Sequence, residues 1–311
     1  MSSELSYTLV VLETTSIQSY LFNSNRLKEN VGASYLVKAA TQDWVYDAIG
    51  LKTPIDKQIP IENRQDDKNA VELLYCGGGN AVLLFQDSDN AKKFIGALSR
   101  DVLRKARGLK LTFHSQPYDW QKQPLACAVY NAIKALKSAR NHQPARMGIG
   151  GLGVTAMCAS TSLPAMAMAQ IDKDWKPISA EVFAKRQYAD DANEKLRELF
   201  SLPSEYTFPL DFDDMGAPKG EKNTIGVVHA DGNGLGKIIQ GLKDKFPNTS
   251  KDNGNRAYIT FMRAFSEGIK KLAQDAQRET IAFLLKSGFV EGKTLPFRPL
   301  VSGGDDVTFV C

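Results

Sequence analysis

The chain carries one stretch twice. LYCGGGNAVLLF at 74–85 and LVSGGDDVTFVC at 300–311 align without a gap. Each reads as two β-rich segments joined by a glycine-led tight turn. The match extends upstream. ETTSIQ at 13–18 aligns with DGNGLG at 231–236, so Glu13 corresponds to Asp231. A repeat on this scale predicts two copies of one supersecondary unit. The glycine pair is kept in both copies because the turn geometry needs it. The acids are not kept: Gly79-Asn80 stands where Asp305-Asp306 stands. One copy is equipped to hold a cation strongly and the other is not.

The elements around the repeat predict an α+β chain. Tyr7–Leu12 reads as a buried strand. Ile17, Tyr20, Leu21 and Leu27 have helical spacing, broken at Gly32 and Ser34 before a second helix over 35–49. Residues 51–70, with Pro54 and Pro60, read as an exposed excursion. The first hairpin follows, then an amphipathic helix over 91–104 with Phe94, Leu98 and Leu103 inward, then a closing strand over 110–114. This β-α-β-β-α-β order is that of a ferredoxin-like unit. A helix is expected over 125–139, Met157–Met168 as packing filler, and one amphipathic helix over 181–200. At Thr224 the pattern restarts: a short buried strand over 225–230, a glycine turn, and a helix beginning near Leu235. A long helix over 255–286 then buries Tyr258, Phe261, Met262, Phe265, Ile269, Leu272 and Ala273. The expected division is a first unit over 1–120, a helical linker over 121–222 and a second unit over 223–311. The second unit stops after its third strand. The flanking helix and strand of the first have no counterpart, which predicts an exposed sheet edge that a continuation or a second chain completes.

Composition removes several function classes. No apolar run approaches 18 residues, so no membrane span is expected, and the N-terminus lacks a signal-peptide pattern. Cys76, Cys127, Cys158 and Cys311 are widely spaced with no CxxC pair, which argues against a zinc ribbon and fits a reduced, cytoplasmic setting. The three histidines include no His-Asp doublet, so an HD-type nuclease has no candidate site. GIGGLG at 148–153 lacks the Lys-Ser/Thr ending of a P-loop and reads as a linker or hairpin. Asp211-Phe212-Asp213-Asp214 reads as a solvated linker. The net charge of +4 permits a basic patch for phosphate or RNA without requiring one.

The chemistry concentrates at two strand ends. If the strand ending at Asp231 lies antiparallel to the one that starts after Gly303-Gly304-Asp305-Asp306, then Asp231, Asp305 and Asp306 come within a few ångströms of one another. Three carboxylates that close are costly unless cations neutralise them. Two Mg²⁺ or Mn²⁺ ions beneath a nucleoside triphosphate would do so. Amides of the Gly232–Gly236 turn, Gly234 among them, favour phosphate oxygens at a helix start. Lys237 on the first turn is within reach of a phosphate, although a solvent-facing lysine is the commoner outcome. His229 is expected to pack and hydrogen-bond near the site. Glu13 and Asn80 would shape a second, metal-poor pocket, with Arg26, Lys28 and Asn30 as outlying helpers or, by default, solvated helix residues.

SIQSYLFNSNRLKENVGASYL, YCGGGN, HADGNGLGK and SGGDD together resemble the large polymerase/cyclase subunit of type III CRISPR effector complexes. They resemble still more its stand-alone bacterial relatives without the HD nuclease domain. The resemblance implies two palm domains packed as a pseudo-symmetric pair. It implies conversion of ATP into cyclic oligoadenylate, with Asp231, Asp305 and Asp306 as catalytic metal ligands. It further implies nucleotide contacts from Gly232, Asn233, Gly234, Lys237, Gly303, Gly304, Gly78 and Asn80, and partnership with RNA or other effector subunits. Two departures stand out. Asn233 occupies the place where many members carry a second acid, which lowers the expected metal affinity. VTAMCASTSLPAM keeps only Cys158 of the family's cysteine-rich finger, so no zinc is expected. Two other readings fit the same motifs. One is a palm pair that binds nucleotide without turnover, as sensor or scaffold. The other is a GGDEF-like diguanylate cyclase.

Overall fold

The structure, a computed structural model, describes residues 6–141, 152–215, 224–247, 253–288, 290, 292–304 and 306–311. Its first sheet is built on β1 (Ser6–Thr15). This strand carries Leu9, Val10, Val11 and Leu12 in unbroken succession, all buried. A continuous apolar run suits a strand covered on both faces. β1 therefore lies inside an antiparallel sheet of order β2-β3-β1-β4, with β2 at Val71–Gly77, β3 at Asn80–Phe85 and β4 at Lys110–Asp119. Helices α1 (Ile17–Phe22), α2 (Leu27–Thr41) and α3 (Asp43–Ile49) follow β1, and α4 (Ser88–Lys105) joins β3 to β4. One face of the sheet, through Val10, Leu12 and Leu83, packs on Leu36 of α2 and Phe94 of α4. The other, through Leu9, Val11 and Leu84, meets Val129 of α5 (Leu125–Asn141).

A two-stranded antiparallel sheet follows, β5 (Ala165–Ile171) with β6 (Asp174–Ser179). Two helices come next, α6 (Ala180–Gln187) and α7 (Ala189–Phe200). The later part of the chain forms β7 (Val227–Ala230), α8 (Leu235–Lys245), α9 (Gly254–Ser287), β8 (Arg298–Gly303) and β9 (Asp306–Val310). Its sheet has the order β7-β9-β8, again antiparallel. Leu300 and Val310 on one face pack with Leu27 and Val31 of α2. Phe309 on the other, with Phe297 just before β8, packs with Ile281 near the end of α9. The start of α9, through Tyr258, Ile259 and Met262, lies in the core beneath the first sheet. The fold is thus α+β with antiparallel sheets, and α2 and α9 each touch both large ones.

Several sequence expectations are corrected. Gly32 and Ser34 do not break the helix; both lie inside α2. Gly32 serves a close approach, because a Cβ there would stand 1.8 Å from the Lys185 carbonyl oxygen on α6. The break falls instead at Gln42, between α2 and α3. On α4 the buried row is Ala91, Phe94, Leu98 and Val102, so Leu103 points outward. Leu272 of α9 is likewise exposed. The 181–200 segment is two helices rather than one, parted at Tyr188. Met157, Met166 and Met168 are exposed, not packing filler; Met166 and Met168 fall on the outer face of β5, along which exposed and half-buried residues alternate. The strand predicted as buried over 225–230 is exposed along all of β7. It is an edge strand, with β9 on one side and no described strand on the other. The GIGGLG run falls at 148–151 outside the described residues.

Candidate functional site

The two hairpins share a register. In the first, Gly77 pairs with Asn80 across a Gly78-Gly79 turn. In the second, Gly303 pairs with Asp306 across Gly304 and residue 305. The neighbouring strands match as well. β1 pairs Leu12 with Ala81 and Glu13 with Asn80; β7 pairs Ala230 with Val307. Asp231 and Asp306 are the next residues outward from that last pair, so they stand at the same end of adjacent strands. Asp305 lies outside the described residues.

The hairpin tips meet. Gly78 and Gly304 both have positive φ, 58° and 69°. A Cβ on Gly304 would lie 3.2 Å from the Gly78 Cα. Only residues without side chains allow turns to approach so closely. The first tip is held by Thr14, whose amide and hydroxyl both donate to the Gly79 carbonyl oxygen, at 2.8 and 2.9 Å.

Beside the tips opens a cavity of about 570 Å³. Gly78, Asn80, Gly304 and Asp306 line it, with Glu13 and Gly236. Asp231, Gly232, Asn233, Gly234 and Lys237 are not in its wall. Asp231, Asn233, Gly234 and Lys237 face solvent. Gly234 caps α8 with φ of 81°. His229 is exposed too, with Nδ1 2.8 Å from the Thr308 hydroxyl, rather than packed. Arg26, Lys28 and Asn30 are engaged elsewhere. Arg26 grips Asp172 with both terminal nitrogens at 3.0 Å, Lys28 pairs with Asp190 at 2.9 Å, and the buried Asn30 amide faces the carbonyls of Leu21, Ser24 and Arg26.

Sequence reasoning missed the cavity's basic wall. Lys38, Lys134, Lys137, Lys195, Lys270 and Arg298 line it, against the carboxylates of Glu13, Asp43 and Asp306. Tyr130, Lys134 and Lys137 recur at positions i, i+4 and i+7 of α5, a spacing that puts them on one helix face and was readable in LACAVYNAIKALKSARN. Arg140 from the same helix stands 3.6 Å from Glu13. Lys38, Lys195 and Lys270 come from three separate helices and carry no sequence signal. Deeper in, the Tyr46 hydroxyl and Cys76 thiol are 3.2 Å apart. Burial pushes both groups up, so the thiol stays neutral and is no nucleophile at neutral pH.

A divalent cation was expected at this site. Among the described residues no group of three or more His, Cys, Asp or Glu side chains could hold one. The described part of the expected set is a carboxylate pair, Asp231 and Asp306. Mg²⁺ is commonly bound by one or two carboxylates together with substrate phosphates, and of these two only Asp306 lines the cavity.

No protein-family model and no curated protein matches the chain. Solved structures do show likenesses. In a Csm1-Csm4 cassette in complex with cA3, one chain shares 13% identity at a TM-score of 0.47, over 99% of this chain and 46% of that one. The same cassette with one ATP gives 14%, 0.46 and the same coverages. Csm1 of T. onnurineus gives 14% and 0.45, over 99% of this chain and 44% of its own. The chain thus spans less than half the length of the structures it is similar to.

Proposed function

We propose that this protein holds ATP between two ferredoxin-like palm domains and converts it into cyclic oligoadenylate, as part of prokaryotic antiviral defence. The observation that carries the reading is the meeting of the GGGN and GGDD hairpin tips, Gly78 against Gly304, beside a cavity lined from both sides. Its volume lies in the range of small-molecule and cofactor sites, about 300–1,000 Å³. The identity of the nucleotide and the defence role come from the motif resemblance. In this reading the units span 1–120 and 223–311, joined by 121–222, and a strand of a continuation or second chain pairs with β7.

The residues divide the work. Asp231, Asp305 and Asp306 hold Mg²⁺ or Mn²⁺, which when bound neutralises the triphosphate and supports displacement of pyrophosphate by a ribose hydroxyl. The Gly303–Gly304 turn brings backbone close to the nucleotide. Asn80 and Gly78 face the second nucleotide, where the missing acid leaves room for an acceptor rather than a metal. The lysines of the wall draw the anionic ligand in.

Incubation with labelled ATP or GTP and Mn²⁺ tests this, with an Asp305→Ala/Asp306→Ala variant as control. Adenylate oligomers that vanish in the variant support the reading. Binding without turnover supports a sensor or scaffold instead, a reading favoured by the exposed Asp231 and by Asn233 beside it. A cyclic dinucleotide made from GTP supports a diguanylate cyclase.

A further inference from the structure

Three lysines outside every recognised motif converge on one wall of the cavity: Lys38 of α2, Lys195 of α7 and Lys270 of α9. They are near enough to feel one another. Crowding by protein pulls the Lys38 ammonium below the ordinary lysine range, Lys270 and Lys195 add to that, and Asp43 opposes it. The side chain nevertheless remains open to water in the cavity. Gathering like charges from three helices is unfavourable in itself, and at Lys38 Asp43 is the charge that most offsets it. Asp43 is 3.5 Å from Lys195 Nζ, which also donates to the Tyr35 hydroxyl at 3.0 Å. Glu267 is 3.5 Å from Lys270 and mostly solvent-exposed. The Lys38 ammonium has no hydrogen-bond or ion-pair partner among the described residues.

The wall adjoins the first hairpin tip. A Cβ on Gly77 would lie 3.6 Å from the Ser266 hydroxyl and 3.7 Å from the Gln42 amide nitrogen. Lys270 follows Ser266 by four residues on α9, so the two share a face one turn apart, about 5–6 Å. Lys38 stands one turn before Gln42, to which it gives its carbonyl as acceptor. A ligand lying along the tip therefore meets two neutral donors and then three ammoniums.

We infer that Lys38, Lys195 and Lys270, with Ser266 and Gln42, form a subsite for phosphate oxygens that works without a divalent metal. It deepens the nucleotide reading and rests on it for the identity of the ligand. The phosphate belongs either to the triphosphate tail of a nucleotide or to the phosphodiester backbone of a short oligonucleotide. A cation wall reads both through the same oxygens.

The test is calorimetric titration of the full chain with inorganic tripolyphosphate in EDTA, at low and at raised salt. Wild type is expected to bind, more weakly as salt rises. Lys38→Gln, Lys195→Gln and Lys270→Gln are each expected to weaken binding roughly tenfold, and the triple variant to abolish it. Lys92→Gln, which removes an equal charge from the exposed Asp89 pair on α4, is expected to bind as wild type. Melting curves identify any variant that fails to fold, and the single variants then carry the result. No binding by wild type, or equal loss in Lys92→Gln, overturns the subsite. Parallel titrations with ATP and with a 5′-hydroxyl triadenylate, both in EDTA, assign it to tail or backbone. The nucleotide reading fails separately: Mg²⁺-ATP would then not bind, while tripolyphosphate still did so through the lysines. Binding of Mg²⁺-ATP with lysine-independent tripolyphosphate binding would overturn the subsite alone.

Discussion

Gly304 shows how much one residue can decide here. Its φ of 69° disfavours any side chain, by about 1–2 kcal/mol for an L-residue in that region. Its Cβ would also press on Gly78. Gly304→Ala is therefore expected to cost at least that much in chemical denaturation. By parting the tips it should also weaken ATP binding, measured by calorimetry, beyond what the stability loss explains. A second residue reports on pH. Asp172 is held by Arg26 and then Lys176 at about 2, below the usual carboxylate range. A carboxylate with a depressed folded pKa contributes fully above its unfolded value, near 3.9, and loses that contribution as pH falls toward 2. An NMR titration of the Asp172 carboxyl should place its midpoint well below that of an ordinary aspartate. Arg26→Gln should return it upward.

Among the elements, α9 is the one that ties the molecule together. Asn255 at its start accepts from the Leu125 amide at 2.7 Å and donates to the Trp120 carbonyl at 2.9 Å. Next to it and two turns on, Arg256 and Arg263 enclose the fully buried Glu72 of β2, at 2.6 and 2.8 Å. Arg263 also donates to the carbonyls of Leu73 and Leu74, where the β2 register shifts. Toward its other end, Gln277 accepts from the Ser302 hydroxyl at 2.8 Å, just before the second tip. α9 thus grips the strands that lead into both tips. Glu72→Gln would leave two guanidinium groups short of their counter-charge, and removing one partner of a buried pair typically costs about 3–5 kcal/mol. Urea denaturation should show a loss of that order. Much of this layout was legible beforehand. The hairpins, α4, α5, α8 and the length of α9 follow from period, turn residues and apolar spacing. The arginine-glutamate cluster was not, because Glu62, Glu72, Arg256 and Arg263 are scattered along the chain and meet only after folding. Gly32 was misread for a related reason: a glycine that admits a neighbouring backbone looks, in one dimension, like a glycine that ends a helix.

For the molecule as a whole, the open side of β7 matters most. Val227 is 69% exposed and Val228 40%, with Ile225 and Ile238 also exposed. In the first sheet the matching strand β1 has β4 on that side, paired from Ser6 to Thr15. An uncovered apolar edge invites strand addition. This chain is expected to self-associate with rising concentration in light scattering, and Val227→Lys to reduce that while changing stability by less than about 0.5 kcal/mol. The repeat made the edge foreseeable, yet the strand itself was expected to be buried, because its residues have the composition of a covered strand. The candidate site was legible in part. The glycine turns and the place of Asp306 at the cavity could be read from the two aligned stretches, whereas Asp231 faces solvent and the basic wall depends on how separate helices converge.

The abutment of Gly78 and Gly304 has a mechanical consequence. Backbone rests on backbone there, so the closest distance between the two halves is set by atomic radii and not by any side chain that evolution can lengthen or trim. Change elsewhere in the chain can alter what the gap accommodates, but it cannot easily close the gap further.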